Sequence, residues 1–179
     1  MHFQGENIME KRDLYDVNRI LTGKTIYKGE KIPSNNYIVV VLAFIQNSKG
    51  QFLIQKRSKI KDGKYASTGG HPKSGETSMQ GIITEIKEEL GLTVLPNELE
   101  LIYSGREDSK HVFFDIYYIK KDFDISELVL QKEEVESAKW LYLKEIIQLI
   151  NNGLFLENHA EEVFRMINIF KKRGVNLDK

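Results

Sequence analysis

The chain has 179 residues, with 26 Lys plus Arg against 26 Asp plus Glu and no cysteine. This length supports one domain with a real core, the balanced charge excludes a general pull toward nucleic acid or anionic membranes, and the missing thiols exclude disulfides, thiolate nucleophiles and cysteine metal sites. No apolar run approaches the ~20 residues that span a bilayer, and no charged-then-apolar leader is visible, so a cytoplasmic protein without nucleic-acid or membrane partners is expected.

Residues 1–8 (MHFQGENI) read as a cloning remnant, with Met9 as the native start and 9–179 as one domain. Within it, 9–36 is assigned to N-terminal strands and a loop, 37–150 to the core and 154–172 to a C-terminal helix. Residues 13–27 alternate short apolar pairs with turn residues. That pattern predicts strands near 14–17 and 25–27, with a turn at Thr22 and Gly23. Residues 37–46 (YIVVVLAFIQ) form a nearly unbroken β-branched and aromatic run, which predicts a central strand buried on both faces. A tight turn at 47–50 returns the chain as a hairpin strand, QFLIQKR, over 51–57. Residues 58–64 form a basic loop. It reads either as ordinary solvated chain or as a phosphate-facing patch.

A short strand over 65–68 and a Gly/Pro loop over 69–75 precede a helix. Its start is expected near Thr77, with Glu76 favourable at the positive end, and its stop at Gly91 in the left-handed C-cap position. Further strands are expected at 100–104, 112–120 and 135–141, and 128–130 is ambiguous. Helices follow at 143–151 and from an Asn158 N-cap to about 172, the last with Val163, Phe164, Ile167 and Phe170 as its core stripe. This order of elements predicts an α+β domain with a mixed sheet. Oligomeric state is left open.

The helix after Gly75 carries the chemistry. Glu85, Glu88 and Glu89 fall at i, i+3 and i+4 and share one face, while Met79, Ile82, Ile83, Ile86 and Leu90 form a second, apolar face. Crowded carboxylates repel, so a helix gains nothing by collecting them. A hard divalent cation reverses that sign, and oxygen ligands of this type suit Mg²⁺, with Mn²⁺ as the alternative.

The stretch 69–92, GGHPKSGETSMQGIITEIKEELGL, resembles the box of the Nudix hydrolase superfamily. Gly70, Glu76, Glu85, Ile86, Glu88, Glu89, Gly91 and Leu92 all match the family pattern. Thr84 departs from it, standing where the family has arginine. The resemblance implies an α/β/α sandwich with a loop–helix–loop metal site. It also implies Mg²⁺-dependent, MutT-like hydrolysis of a nucleoside diphosphate linked to some group X, or of a related di- or triphosphate. Carried over by position, Glu85, Glu88 and Glu89 are metal ligands, joined by the Gly69 carbonyl. Glu85 and Glu88 are the expected catalytic groups, with Glu85 the water-activating base of some relatives. Gly70, Glu76 and Gly91 are structural. Among Glu133, Glu134 and Glu136, Glu134 is taken as the further acidic ligand. Lys56 and Arg57 are expected to hold phosphate, with His71 a third substrate contact. In the family the arginine orients the adjacent glutamate by an ion pair; threonine cannot, so either a nearby cation such as Arg57 or Lys87 substitutes or the metal site is looser and turnover slower. Lys87, however, points toward solvent on its helical position.

The run Ser67-Thr68-Gly69-Gly70-His71-Pro72 is also similar to isopentenyl-diphosphate isomerases, which share the fold. Gly69 lies at their catalytic cysteine and His71 at a metal-binding histidine. Without cysteine the isomerase reaction lacks its acid, so the reading is an isomerase-like hydrolase. A non-catalytic nucleotide-binding module, favoured by Thr84, is the other alternative. His111 and His159 are expected at the surface, and Trp140 in the core.

Overall fold

The computed structural model describes residues 9–177, so the expected cloning remnant at 1–8 lies outside the described residues. Among them the chain runs as β1 (Lys11–Tyr15), β2 (Leu21–Tyr27), β3 (Ile38–Gln46), β4 (Phe52–Arg57), β5 (Tyr65–Ala66), β6 (Thr68–Gly70), α1 (Ser78–Leu90), β7 (Glu100–Glu107), β8 (Val112–Lys120), β9 (Val135–Leu141), α2 (Leu143–Asn151) and α3 (Glu157–Lys172), with two 3₁₀ turns.

β3 is the centre of a seven-stranded mixed sheet. It pairs in parallel with β8 along its whole length, from Ile38 opposite Val112 to Gln46 opposite Lys120. Beyond their turn, β3 and β4 separate. β6 pairs antiparallel with β3 at Val41–Ala43, while β5 and β9 pair with β4. Alternation along β3 then feeds two cores. Leu42 and Phe44 pack with Ile146, Val163, Met166 and Phe170 of α2 and α3. Val39, Val41, Ala43 and Ile45 pack with Ile82, Ile86 and Leu90 of α1. The expected α+β sandwich is thus observed.

Four local expectations need correction. The first hairpin turns at residues 16–20, because Asp16 Oδ1 accepts the Asn18 and Ile20 amides at 2.8 and 2.9 Å, and Thr22 and Gly23 lie inside β2. Residues 69 and 70 are strand rather than loop, continuing from Thr68. A Cβ at Gly69 would lie 2.4 Å from the Val41 carbonyl oxygen, so the approach of β6 to β3 admits no side chain there. α3 starts at Glu157 with Leu156 at the cap, its entry fixed by the Leu156 amide donating to the Tyr65 carbonyl at 2.8 Å. Its buried stripe is Ala160, Val163, Met166 and Phe170, with Phe164 43% exposed.

α1 begins one residue after Thr77, which caps it in a reciprocal box with Gln80. It ends at Gly91 with φ 68°. The 128–130 segment runs against that end: Val129 N–H donates to the Leu90 carbonyl at 2.9 Å, and a Cβ on Gly91 would lie 2.7 Å from Val129 Cβ. The same strap continues through Gln131, whose amide donates to the Glu89 carbonyl at 3.1 Å. This brings residues 131–134 beside the acidic helix.

The β1–β2 hairpin is anchored by Arg19. Its guanidinium pairs with both oxygens of Asp115 and reaches Ser104 Oγ at 2.7 Å. Asp115 is 2% exposed. Burial opposes its charge, but bonds from Arg19, Ser78 and Ser104 prevail and hold its carboxyl below the ordinary range. Removing one side of a buried ion pair leaves the other uncompensated, so Asp115→Ala should cost about 3 kcal/mol in urea unfolding; a change under 0.5 kcal/mol would show that the pair does not anchor the hairpin.

Candidate active site

A cavity of about 530 Å³ opens over the acidic face of α1, and Gly69, Gly70, His71, Glu85, Glu88 and Glu89 all line it. Glu85 lies against β6 because Gly70 has no side chain: a Cβ there would come within 2.2 Å of Glu85 Oε1. The His71 amide donates to that same oxygen at 3.0 Å. Burial pushes the Glu85 carboxyl up to about 7, opposed by the His71 amide and reinforced by the charges of Glu10 and Glu88. Glu89 accepts from Gln55 Nε2 at 2.8 Å. Burial takes its carboxyl to about 8, opposed by Gln55 and the Gly69 amide and reinforced by Glu85 and Glu134. Neither Glu85 nor Glu89 has an ion-pair partner among the described residues. Glu88 is more exposed and pairs with Lys73.

Several expected residues take unexpected partners. Thr84 Oγ1 donates to Glu76 Oε1 at 2.7 Å, and Glu76 Oε2 also accepts the Lys73 amide at 2.8 Å. Glu76 therefore ties the loop to the helix, and the orientation of Glu85 rests on the His71 amide, with no cation in the role of the family's arginine. Neither expected substitute serves. Lys87 is exposed and bonds Gly91 O and Thr93, and Arg57 faces Asp62. Thr84→Val should cost about 1 kcal/mol and leave kcat/KM within about threefold of the parent, the size of one neutral hydrogen bond. Urea unfolding beside steady-state kinetics checks this; a hundredfold loss of turnover would mean that Thr84 bears directly on Glu85.

Glu134 lines the cavity with its carboxylate 2.9 Å from Lys61, and the Ser58 amide ties the basic loop to its carbonyl. Lys56 does not line the cavity. It points to Glu136 at 3.1 Å, away from the cavity where the phosphate contact is expected. Arg57 does line it, as does His71, whose imidazole burial lowers to about 4 with help from Arg12. His159, expected at the surface, lines the cavity as well and its Nδ1 is buried without a hydrogen-bond partner. His111 packs against Tyr37 at a tilt, with ring centres 5.4 Å apart, and Trp140 packs on Phe123 against the core, half-buried.

The sequence reading missed Gln55, which holds Glu89 and Thr68 Oγ1 from a buried position. A glutamine in the middle of an otherwise apolar strand is a usable signal, because a buried amide requires polar partners. It also missed Glu10, Arg12 and Lys28 from the first hairpin, which line the cavity beside His71 and Glu85. No local pattern points from residue 12 or 28 to the helix at 85.

The NUDIX domain family profile matches residues 36–163. The chain belongs to the Nudix hydrolase family. An uncharacterised Nudix hydrolase of Listeria monocytogenes is 40% identical over 155 residues, covering 83% of this chain and 89% of the relative. One from Clostridium acetobutylicum is 33% identical over 127 residues, covering 63% and 61%. The crystal structure of DR0079 from Deinococcus radiodurans aligns with a TM-score of 0.73 at 23% identity, covering 87% of this chain and 98% of that one. The Nudix domain of Shewanella oneidensis NrtR, complexed with ADP-ribose, aligns at 0.57 and 16% identity, covering 82% and 91%. The profile begins after the β1–β2 hairpin, so Arg12 and Lys28 are brought to the cavity by a segment outside it.

Nudix hydrolases generally use divalent metals. As placed, no three carboxylate or imidazole groups among the described residues stand close enough to chelate an ion. The donor chemistry nonetheless fits one. Glu85 and Glu89 are hard oxygen donors, desolvated, mutually repelling and without a cation. Completing the set requires Glu88 to exchange Lys73 for the metal.

Proposed function

We propose that this Nudix hydrolase is a cytoplasmic Mg²⁺-dependent pyrophosphohydrolase, with Mn²⁺ able to substitute, that cleaves a nucleoside diphosphate linked to X or a related nucleotide. The observation that carries the reading is the pair Glu85 and Glu89, raised to about 7 and about 8 by burial and without an ion-pair partner among the described residues, at the wall of a cavity large enough for a nucleotide.

In this reading Glu85, Glu88, Glu89 and the Gly69 carbonyl hold the metal, and Glu134 adds a further carboxylate. Bound there, a divalent cation neutralises the diphosphate and eases ionisation of water. Glu85, fixed by the His71 amide, accepts the proton of the attacking water. Arg57 and Lys61 offer cationic hydrogen bonds to phosphate oxygens, and Arg12 and Lys28 add positive charge from the first hairpin. Binding of ADP-ribose by the Shewanella oneidensis domain supports a small nucleotide-like ligand.

The non-catalytic alternative loses its main support, because Thr84 is engaged with Glu76 and Glu85 has a separate anchor. A panel of nucleoside diphosphates, triphosphates, nucleotide sugars and dinucleotides with Mg²⁺ or Mn²⁺ tests the reading. The expected products are a nucleoside monophosphate and a phosphorylated X, or phosphate from simpler nucleotides. Ligand binding without turnover anywhere in the panel would favour the non-catalytic module.

A further inference from the structure

The β1–β2 hairpin precedes the residues matched by the family profile, yet it grips the loop on which the acidic face depends. Its own place is fixed at three points. Leu14 is buried with Ile26 and Ile38, Tyr15 exchanges two backbone hydrogen bonds of 2.8 Å with Tyr37, and Arg19 pairs with Asp115. The β1–β2 pairing shifts register between Asp13 and Tyr15, an irregularity of the kind that re-aims a side chain.

From this fixed strand three hydrogen bonds reach residues 74 and 75. Asp13 Oδ1 accepts from the Ser74 hydroxyl at 2.6 Å, Asp13 Oδ2 from the Gly75 amide at 2.8 Å, and the Lys11 carbonyl from the Ser74 amide at 2.8 Å. Residues 73–76 form a tight turn, closed by the Glu76 amide on the Lys73 carbonyl at 2.9 Å, with Gly75 at φ 89°. A turn of this kind leaves its two central amides without an acceptor of their own. β1 supplies both.

The turn is continuous with the groups that set the acidic face. Two residues before it the His71 amide donates to Glu85, and its first residue, Lys73, pairs with Glu88. Between them Pro72 lies against α1, where a Cβ on Gly81 would come within 2.6 Å of it. Glu76 holds the inner side of the turn through the Lys73 amide and Thr84. With threonine at 84 in place of the family's arginine, the orientation of Glu85 depends on this loop, and the outer side of the loop depends on β1.

We propose that Asp13 is a positioning residue for the acidic face. By holding the 73–76 turn from outside the family domain, it keeps the His71 amide on Glu85 and Lys73 beside Glu88. Asp13 does not line the main cavity, so it acts through the turn alone. The inference rests on the reading of Glu85 and Glu88 as metal ligands, and it adds the element that presets them.

The first test is amide hydrogen exchange, followed by NMR on the metal-free full chain. Asp13→Ala should speed exchange at His71, with Ser74 and Gly75, by about tenfold and leave the β3 amides unchanged, as a local opening does. Asp13→Asn should stay within about threefold of the parent, because its carbonyl accepts the Gly75 amide and its NH₂ donates to the Ser74 hydroxyl. The second is Mg²⁺ affinity by calorimetry, which should fall about tenfold in Asp13→Ala and recover in Asp13→Asn.

Faster exchange confined to Ser74 and Gly75 would show that the turn does not transmit the brace to Glu85. A rise spread evenly over β3 would show plain destabilisation. Asp13→Asn behaving like Asp13→Ala would assign the effect to charge. Each of these overturns the proposal, as does an Asp13→Ala protein that binds Mg²⁺ as tightly as a binding-competent parent. If the parent binds no Mg²⁺, the metal-dependent reading fails, and exchange at His71 still decides whether Asp13 sets the loop. If Asp13→Ala does not fold by circular dichroism, Ser74→Ala, which removes one of the three bonds, replaces it; about threefold faster exchange at His71 is then expected, and no change would overturn the proposal.

Discussion

Glu85→Gln and Glu89→Gln should each lower kcat/KM by about 10²–10³-fold, the range for loss of a general base or of a group stabilising the transition state, while making the metal-free protein more stable at pH 8. The two effects have one cause. Each carboxylate is buried with only hydrogen-bond donors beside it, the His71 amide for Glu85 and Gln55 for Glu89. A glutamine carbonyl accepts the same bonds without the charge, so the fold gains what the reaction loses. Steady-state kinetics and urea unfolding on the same two variants separate this account from simple damage. A variant that is inactive and also destabilised would indicate a structural role instead.

Stability of the metal-free protein should fall by roughly 3 kcal/mol between pH 6.5 and pH 8.5. Glu85 and Glu89 titrate near 7 and 8 in the folded state against 4.5 for an unperturbed glutamate. Above 4.5 the unfolded chain has released protons that the folded chain still holds, so raising the pH favours unfolding until both have ionised. His71 and His159 work the other way. Lowered from 6.5 to about 4 by burial, they favour unfolding as the pH falls below 6.5. The two pairs offset one another between about 4.5 and 6.5, leaving the carboxylates alone to set the slope above that window. Saturating Mg²⁺ binds the ionised carboxylates and should flatten the decline. Urea midpoints at pH 6.5 and 8.5, with and without Mg²⁺, measure it; an equal decline in both conditions would remove the metal from the account.

What is legible in the sequence is local. The spacing of Glu85, Glu88 and Glu89, the C-cap at Gly91 and the buried run of β3 each depend on periodicity or backbone conformation within one element, and each is seen in the structure. Thr84 stands out in the sequence as the departure, but its partner does not. That partner, Glu76, is eight residues away across a loop. The remainder of the site depends on tertiary placement. Gln55 meets Glu89 across 34 residues, and His159 reaches the cavity because β5 fixes the entry of α3 through Tyr65 and Leu156. Lys56 and Arg57 both read as phosphate-facing from one basic run, but adjacent strand residues point to opposite faces, and only Arg57 lines the cavity. On α3, Phe164 loses its place in the core to Met166, because two large apolar residues so spaced cannot both face the sheet.

The most direct measurement is product formation from a nucleoside diphosphate linked to X, followed by ³¹P NMR on chelator-treated protein as Mg²⁺ is added. The account predicts no monophosphate signal before Mg²⁺ and a saturable rise with it, lost in Glu85→Gln. Hydrolysis that proceeds equally without metal, or that survives Glu85→Gln unchanged, would contradict it.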